Sequence, residues 1–183
     1  PIFLIISILV KLGSPGPVFY VQKRIGRNYL NFGCIKFRTM NKDAEDVLTD
    51  ILANSSSLRK EFEMDFKLRE DPRITPIGKF LRTSSLDELP QFINVLKGEM
   101  SVVGPRPIIK KELSRYGEYM EEVLSVRPGL TGLWQVSGRN NLSYSKRVQL
   151  DLYYVRFRSF LLDIVIILKT FGVLLLPMDR GAY

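Results

Sequence analysis

The sequence has no histidine and a single cysteine, Cys34. The absence of histidine excludes Ser-His-Asp and Cys-His nucleophile systems, HExxH zinc sites and imidazole general bases. With one cysteine the chain can form neither an internal disulfide nor a cysteine zinc cluster, and we interpret Cys34 as a small buried hydrophobic residue. Any chemistry must therefore depend on carboxylates, lysine, arginine, hydroxyls or the main chain.

Basic residues outnumber acidic ones, and they are concentrated at the start of the chain. The 183 residues include 27 lysines and arginines against 19 aspartates and glutamates, and the first 40 residues contain basic side chains but no acidic one. A basic block after an apolar stretch indicates an anionic membrane surface or a polyphosphate ligand, with a solvated surface as the alternative. The sequence has no zinc-finger, RRM-type or basic-zipper pattern, so we expect no nucleic acid partner.

Two apolar segments lie near the ends of the sequence. Residues 1–10 would form about 15 Å of helix, roughly half of a bilayer core, and they lack the charged start and cleavage site of a signal peptide. We expect residues 1–12 to be the remnant of a membrane helix, re-entrant but truncated here, with a buried core helix as the alternative. Asp163 and Lys169 interrupt the segment 160–176, which favours an interfacial or core amphipathic helix over a membrane span.

Turn residues and hydrophobic periodicity predict one α+β domain over residues 1–183, mainly helical with a small β-hairpin. Strands are expected at 18–21 and 30–40, and a short one at 100–103. Helices are expected in an insert at 43–71 and at 91–97, 108–125 and from Ser143 to about Phe157, and Ser159 is expected to cap the last helix. Residues 75–78 and 127–141 are expected to be loops.

The pair Asp87-Glu88 stands at the start of a predicted helix. Ser85 and Glu88 fit the S-x-x-E capping box, with Ser85 as the N-cap. In the first helical turn, the positive end of the helix dipole would favour ionised carboxylates, and the free N–H groups would suit a phosphate. An ordinary helix cap is the alternative, although Pro90 would kink the helix and is unusual for a simple cap.

Arginines lie on either side of this pair in the sequence. Arg82 precedes Asp87 by five residues, and Arg106 follows between two prolines. A carboxylate beside a phosphate requires cations or a divalent metal to offset the repulsion. Two carboxylates, two arginines and a helix start therefore favour phosphoryl transfer through a carboxylate nucleophile.

Six motifs distributed along the chain resemble the bacterial sugar transferase family, the monotopic phosphoglycosyl transferases. They are KFRTM at 36–40, SLDELPQ at 85–91, NVLKG at 94–98, GPRP at 104–107, RPGLTG at 127–132 and QVSGRN at 135–140. The insert at 43–71 and the end at 180–183 are similar to the longer members. In those, this region is a C-terminal catalytic domain behind an N-terminal membrane portion.

The resemblance implies transfer of a sugar 1-phosphate from a UDP-sugar to undecaprenyl phosphate, with UMP released and a covalent phosphosugar formed on Asp87. It implies that Glu88 holds Mg²⁺ and that Arg82 and Arg106 bind phosphates, for which a planar guanidinium is suited. It also implies a bacterial plasma membrane location with the catalytic domain on the cytoplasmic face. A lipid bilayer is thus an expected partner, and a homodimer is left open.

Three more side chains have two interpretations each. Lys36 is expected to neutralise phosphate charge or to be a surface lysine, and Arg139 to contact the nucleotide or to lie in solvent. Trp134 either stacks on uracil or is an interfacial or core residue, which we favour. For the whole chain the alternative is a non-catalytic membrane-surface scaffold, which would release no UMP from a UDP-sugar.

Overall fold

Helices dominate the computed structural model, which describes residues 1–175. The helices are α1 (Ile2–Gly13), α2 (Ala44–Asn54), α3 (Ser56–Asp65), α4 (Pro76–Ser84), α5 (Gln91–Leu96), α6 (Leu113–Tyr116), α7 (Met120–Val123), α8 (Tyr144–Phe157) and α9 (Phe160–Leu175). The strands are β1 (Phe19–Ile25), β2 (Asn31–Phe37), β3 (Ser101–Val103) and β4 (Gly129–Thr131). The mainly helical α+β class with a small hairpin is confirmed. The predicted similarity at 180–183 lies outside the described residues.

The internal contacts of the chain divide it into two compact units. The first unit contains Pro1–Tyr20 and Phe37–Asp87, and the second contains Val21–Lys36 and the described chain from Glu88 onward. Neither unit is one continuous stretch of sequence. The two adjacent carboxylates belong to different units, because Asp87 ends a segment of the first and Glu88 begins a segment of the second.

In the first unit, α1 packs against α4. Gly13 makes this approach possible, since a Cβ atom there would lie 2.8 Å from Cγ2 of Ile77. The aromatic ring of Phe37 packs at 5.5 Å from Phe3 and 5.3 Å from Phe19, measured between ring centroids. These contacts bury one side of α1, on which Val10 is 1% exposed.

The other side of α1 is exposed although it is apolar. Its exposed large residues are Ile2, Leu4, Ile5, Ile8, Leu9 and Leu12, while Phe3, which packs on Phe37, is 37% exposed. A helix at residues 1–12 is therefore confirmed, and its relation to a membrane stays a prediction. Within residues 1–175, no helix has both the length and the apolar character needed to cross a bilayer.

The predicted loop at 75–78 is wrong, because α4 begins there. The Thr75 hydroxyl accepts a hydrogen bond from the Gly78 amide at 3.0 Å, and Pro76 occupies the first helical position. A threonine N-cap followed by proline is a strong start signal, which satisfies free N–H groups and presets the helical φ. The helix ends at Ser84, and Ser85 follows in the left-handed conformation with φ 57°.

The second unit contains the hairpin turn and a parallel strand pair. Strands β3 and β4 pair in register, Ser101 with Gly129 and Val103 with Thr131. A Cβ atom on Gly129 would overlap the main chain of Gly104. Part of the predicted loop at 127–141 is thus a strand that pairs with residues almost thirty positions earlier.

Helices α8 and α9 follow the predicted starts. The Ser143 hydroxyl accepts from the Lys146 amide at 3.3 Å, and the Ser159 hydroxyl accepts from the Leu162 amide at 3.2 Å. The predicted helix at 108–125, in contrast, is broken into 3-10 turns and the short helices α6 and α7. Gly117 causes one break, since its φ of 54° lies outside the right-handed helical region.

Candidate functional site

The segment 85–91 does not form the predicted capping box. Ser85 ends α4, Leu86–Glu88 is a 3-10 turn, and α5 starts only at Gln91. Pro90 is the N-cap of α5, so it does not interrupt a helix. The two carboxylates therefore lie before the helix rather than in its first turn. Ser85 could serve α4 as a C-cap as readily as α5 as an N-cap, and the sequence pattern alone did not distinguish the two.

Glu88 forms an ion pair with Lys36 of β2 in the second unit. The Lys36 Nζ and Glu88 Oε1 atoms are 2.5 Å apart, and the two side chains are 18% and 25% exposed. Burial raises the pKa of Glu88, but the charges of Lys36 and Arg106 and the Lys36 hydrogen bond outweigh burial and lower this pKa to about 2. Glu88 is therefore ionised at neutral pH. Lys36 is in a partly buried pair rather than in solvent.

Arg106 reaches the same pocket from the turn after β3. Lys36, Glu88 and Arg106 all line this pocket. Burial alone would lower the pKa of Arg106. The negative charge of Glu88 and, to a smaller extent, that of Glu112 outweigh burial, so this pKa lies above its usual value. The Arg106 guanidinium also lies over the Trp134 ring, 5.9 Å from its centroid. The Arg106 side chain is thus held by its attraction to Glu88 and by a cation–π contact with Trp134.

Three further polar side chains, Arg24, Gln91 and Gln135, line the pocket and were not identified as site residues from the sequence. The Arg24 guanidinium donates to Gln22 Oε1 at 2.7 Å and to the Pro107 carbonyl at 2.9 Å. Gln135 lines the pocket as well, and its Oε1 atom is buried without a hydrogen-bond partner among residues 1–175. The alternation of Gln22 and Arg24 on one face of β1 was the available signal for Arg24.

In the first unit, Arg82 is held close to Asp87. The Arg82 Nε atom donates to the Thr39 hydroxyl at 3.0 Å. Burial lowers the pKa of Arg82, and the negative charge of Asp87 is the foremost effect that opposes it. Asp87 is itself buried, with 8% exposure. Asp87 and Arg82, which were predicted to act together, therefore lie close enough for their charges to interact.

The remaining predicted side chains have different surroundings. Arg139 lies in the 3-10 turn Arg139–Asn141 with φ 52°, and it is absent from the described residues that line the Glu88 pocket. Trp134 is buried, and two guanidiniums lie over its ring, so its interpretation as a core residue is confirmed. Cys34 is also buried as expected, and burial raises the pKa of its thiol.

The arrangement suits an anion with several charges. Three cations, Arg24, Lys36 and Arg106, line one pocket together with Glu88, which supplies the only carboxylate among its described lining residues. Guanidinium and ammonium groups in a partly buried pocket bind phosphate oxygens by charge-assisted hydrogen bonds. Among residues 1–175 no cluster of three or more possible metal ligands occurs. A metal here would therefore take protein oxygen from Glu88 and its other ligands from the phosphates and water.

Comparisons with known proteins agree with this chemistry. The profile of the family described as bacterial sugar transferase matches residues 1–177. The chain is 53% identical over 183 residues to an uncharacterized sugar transferase of Haemophilus influenzae, covering 100% of this chain and 38% of that protein. It is 46% identical over 183 residues to the exopolysaccharide production protein ExoY of Sinorhizobium fredii, covering 100% of this chain and 80% of that protein.

A third relative has a name that states its reaction. The chain is 51% identical over 168 residues to the undecaprenyl-phosphate galactose phosphotransferase of Salmonella typhimurium, covering 92% of this chain and 35% of that protein. The chain therefore spans little more than a third of the length of two of these three relatives.

Proposed function

Because the chain belongs to the bacterial sugar transferase family, we propose that it transfers a sugar 1-phosphate from a UDP-sugar to undecaprenyl phosphate and releases UMP. The observation that carries this proposal is the pocket of Arg24, Lys36 and Arg106 around an ionised Glu88. A nucleoside diphosphate sugar brings two negative phosphates, which such a pocket is suited to bind. The name of the Salmonella relative supports the lipid acceptor.

In the proposed first step, a carboxylate oxygen of Asp87 attacks the phosphorus that is bonded to the sugar. The bond from this phosphorus to the bridging oxygen breaks, and UMP leaves with the electron pair. In the second step an oxygen of undecaprenyl phosphate attacks the same phosphorus, and Asp87 is released as a carboxylate. Arg82 lies close enough to Asp87 to offset its negative charge. This reduces the repulsion between an anionic nucleophile and the phosphate that it attacks.

Glu88 is the residue that would hold Mg²⁺. Because its pKa is lowered to about 2, its carboxylate is available as an oxygen ligand at neutral pH. Magnesium sites commonly use one or two carboxylates together with substrate phosphates and water. A bound Mg²⁺ would neutralise part of the diphosphate charge. Lys36, which contacts Glu88 Oε1, orients that carboxylate and adds positive charge to the pocket.

The lipid acceptor requires the protein to work at a membrane. We propose the cytoplasmic face of a bacterial plasma membrane. In the first unit, α1 exposes most of its large apolar side chains. In the second unit, α9 exposes the apolar side chains of Phe160, Leu161 and Leu168, and Phe160 is 78% exposed. Such apolar helix faces are suited to insertion into the headgroup and acyl boundary.

A single-turnover experiment without lipid acceptor tests the covalent step. The protein is mixed with Mg²⁺ and a UDP-sugar labelled in the sugar phosphate, and both UMP and protein-bound label are measured. We expect a burst of UMP equal to the amount of enzyme and label on the protein. Asp87→Asn should give neither, because the attacking anionic oxygen is gone.

Asp50→Asn is a matched control, since Asp50 lies on the exposed surface of α2 in the same unit. This variant should keep both the burst and the label. If the wild type forms no label and releases UMP only when undecaprenyl phosphate is added, Asp87 is not the nucleophile. If no UMP forms even with acceptor and a panel of UDP-sugars, the transferase proposal itself fails.

A further inference from the structure

Arg24, near the end of β1 in the second unit, is a buried arginine that directs most of its hydrogen bonds at protein atoms. Its exposure is 8%. Its Nε and Nη2 atoms both donate to Gln22 Oε1, at 3.1 and 2.7 Å. Its Nη1 atom donates to the Pro107 carbonyl at 2.9 Å and lies 3.5 Å from Glu112 Oε2. At least three of the five N–H groups of this guanidinium are thus engaged with the protein.

Two of the groups that Arg24 contacts belong to the chain segment after Arg106. Pro107 is the next residue, and Glu112 follows five residues later. Glu112 Oε2, which lies near Arg24, also accepts from the Ile109 amide at 2.8 Å. Arg24 therefore holds this segment at two points, and one of them is a single residue away from Arg106.

Main-chain hydrogen bonds anchor the residues on either side of this point. The Pro105 carbonyl accepts from the Gly129 amide at 2.8 Å, and the Ile108 carbonyl accepts from the Ile25 amide at 2.9 Å. Pro107 has no amide hydrogen to donate, and its carbonyl accepts from the β1 guanidinium. The residue that directly follows the pocket arginine is thus anchored by a side chain.

Gln22 sets the orientation of the Arg24 guanidinium. It is half-buried on β1, and it is not among the residues of the described chain that line the Glu88 pocket. Its single Oε1 atom accepts from two N–H groups of Arg24, and this fixes the plane of the rigid guanidinium. An effect of Gln22 on the pocket must therefore pass through Arg24.

Resting on the proposed function, we propose that Gln22 and Arg24 are positioning residues that hold the main chain at Pro107 and thereby set the Arg106 guanidinium in the pocket. Arg24 contributes its charge to the pocket, but its hydrogen bonds hold the protein rather than the substrate. A shift of about 1 Å in a group that orients the reacting phosphates can lower a rate about a hundredfold. Loss of this anchor should therefore impair the reaction while the fold persists.

Trp134 reports the position of Arg106 without any substrate. It is the only tryptophan, and the Arg106 guanidinium lies 5.9 Å from its ring centroid. Arg24→Met is the direct change, but it separates a buried ion pair and can prevent folding. Gln22→Leu keeps the arginine and is the main variant. We expect it to change the Trp134 emission spectrum of the folded protein.

The same substitution is then made in an Arg106→Met background. If the spectral change passes through Arg106, Gln22→Leu should leave the emission of Arg106→Met unchanged. Gln22→Glu keeps an acceptor for Arg24 and should give the wild-type spectrum, a result that does not depend on the folding of Arg106→Met. Gln149→Leu is the matched control, because it makes the same change at an exposed position of α8 in the same unit. It should leave the spectrum unchanged.

UMP release from a UDP-sugar measures the functional consequence. Gln22→Leu should lower kcat/KM by about tenfold or more, whereas Gln22→Glu should remain within about twofold of the wild type. In the Arg106→Met background, Gln22→Leu should cause a further loss of less than about twofold, because the group that it positions is gone. If Arg24 bound the phosphates independently, the two losses would multiply.

Two results would overturn the inference. One is a Trp134 spectrum that Gln22→Leu leaves unchanged, or that it changes equally with and without Arg106. The other is a pair of losses in UMP release that multiply, which would make Arg24 a phosphate ligand in its own right. If the wild-type protein releases no UMP from any UDP-sugar, the proposed function fails, and the Trp134 spectra still decide whether Gln22 controls Arg106.

Discussion

Replacing Lys36 with methionine should destabilise the second unit in a pH-dependent manner. The substitution keeps a long side chain but removes the ammonium group that lies 2.5 Å from Glu88 Oε1. Glu88 then remains as a carboxylate in a largely buried position, with only Arg24 and Arg106 as cations lining the described pocket. Removing one partner of a buried pair leaves an uncompensated charge, which is more harmful than removing both.

The magnitude follows from the pKa of Glu88. A carboxyl whose pKa falls from 4.5 to about 2 on folding contributes about 3 kcal/mol to stability at neutral pH. The folded-state pKa is the lower one, so this contribution is present above pH 4.5 and is lost as the pH falls toward 2. Lys36 supplies the largest of the lowering effects. Lys36→Met should therefore lose about 2–3 kcal/mol at pH 7 and about 1 kcal/mol at pH 3.

Urea unfolding followed by Trp134 fluorescence measures this difference. The tryptophan is buried in the same unit as the Lys36–Glu88 pair. Arg156→Met is the matched control. It breaks a pair of similar length, 2.7 Å from Arg156 Nε to Glu122 Oε1, in which both side chains are well exposed. Because exposed pairs contribute little, this variant should unfold at the wild-type urea concentration.

Adding Glu88→Gln to Lys36→Met supplies the decisive comparison. The amide carries no charge, so the double variant should be more stable at pH 7 than Lys36→Met alone. Two observations would refute the reasoning. The first is a Lys36→Met loss that does not shrink on acidification. The second is a double variant no more stable than the single one, which would mean that the ammonium acts by packing rather than by charge.

Three further outcomes are expected. Arg106→Lys should lower UMP release by about tenfold or more, since lysine keeps the charge but not the two-pronged guanidinium, and a near-normal rate would show that charge alone suffices. Excess EDTA should abolish UMP release and Mg²⁺ should restore it, whereas full turnover in EDTA would show that the reaction needs no metal at Glu88. Gly78→Ala should lower the melting temperature and UMP release together, because its Cβ would overlap the Thr39 carbonyl in the segment that binds Arg82. Gly172→Ala, in open space on α9, should instead leave stability unchanged or slightly raised.

Local signals predicted some of the elements whose ends are determined by neighbouring residues, although the Thr75-Pro76 start of α4 was interpreted as a loop. Ser143 and Ser159 were identified as helix starts, and both hydroxyls do accept from an amide three residues later. Ser85 was assigned to the wrong helix, because S-x-x-E also occurs after a helix that ends in the left-handed conformation. The pattern contained no information on which of two neighbouring helices would use the serine.

Elements that depend on distant partners were not predictable in this way. Strand β4 has only three residues and exists because it pairs with β3. Lys36 and Glu88 are 52 positions apart, and only the resemblance to a family brought them into one hypothesis. Asp151 of α8 is fully buried, and nothing in the sequence indicated this, since a carboxyl on an amphipathic helix is normally at the surface.

The turn that carries Arg106 is fixed before any ligand arrives. Pro105 and Pro107 restrict φ on either side of it. The Pro105 carbonyl accepts from the Gly129 amide at 2.8 Å, and the Pro107 carbonyl accepts from Arg24. Because the main chain of this turn is already ordered, binding of a diphosphate costs little backbone entropy, and less of the binding free energy is lost. In the proposed reaction this turn binds phosphates that every UDP-sugar carries, so it does not itself select the sugar.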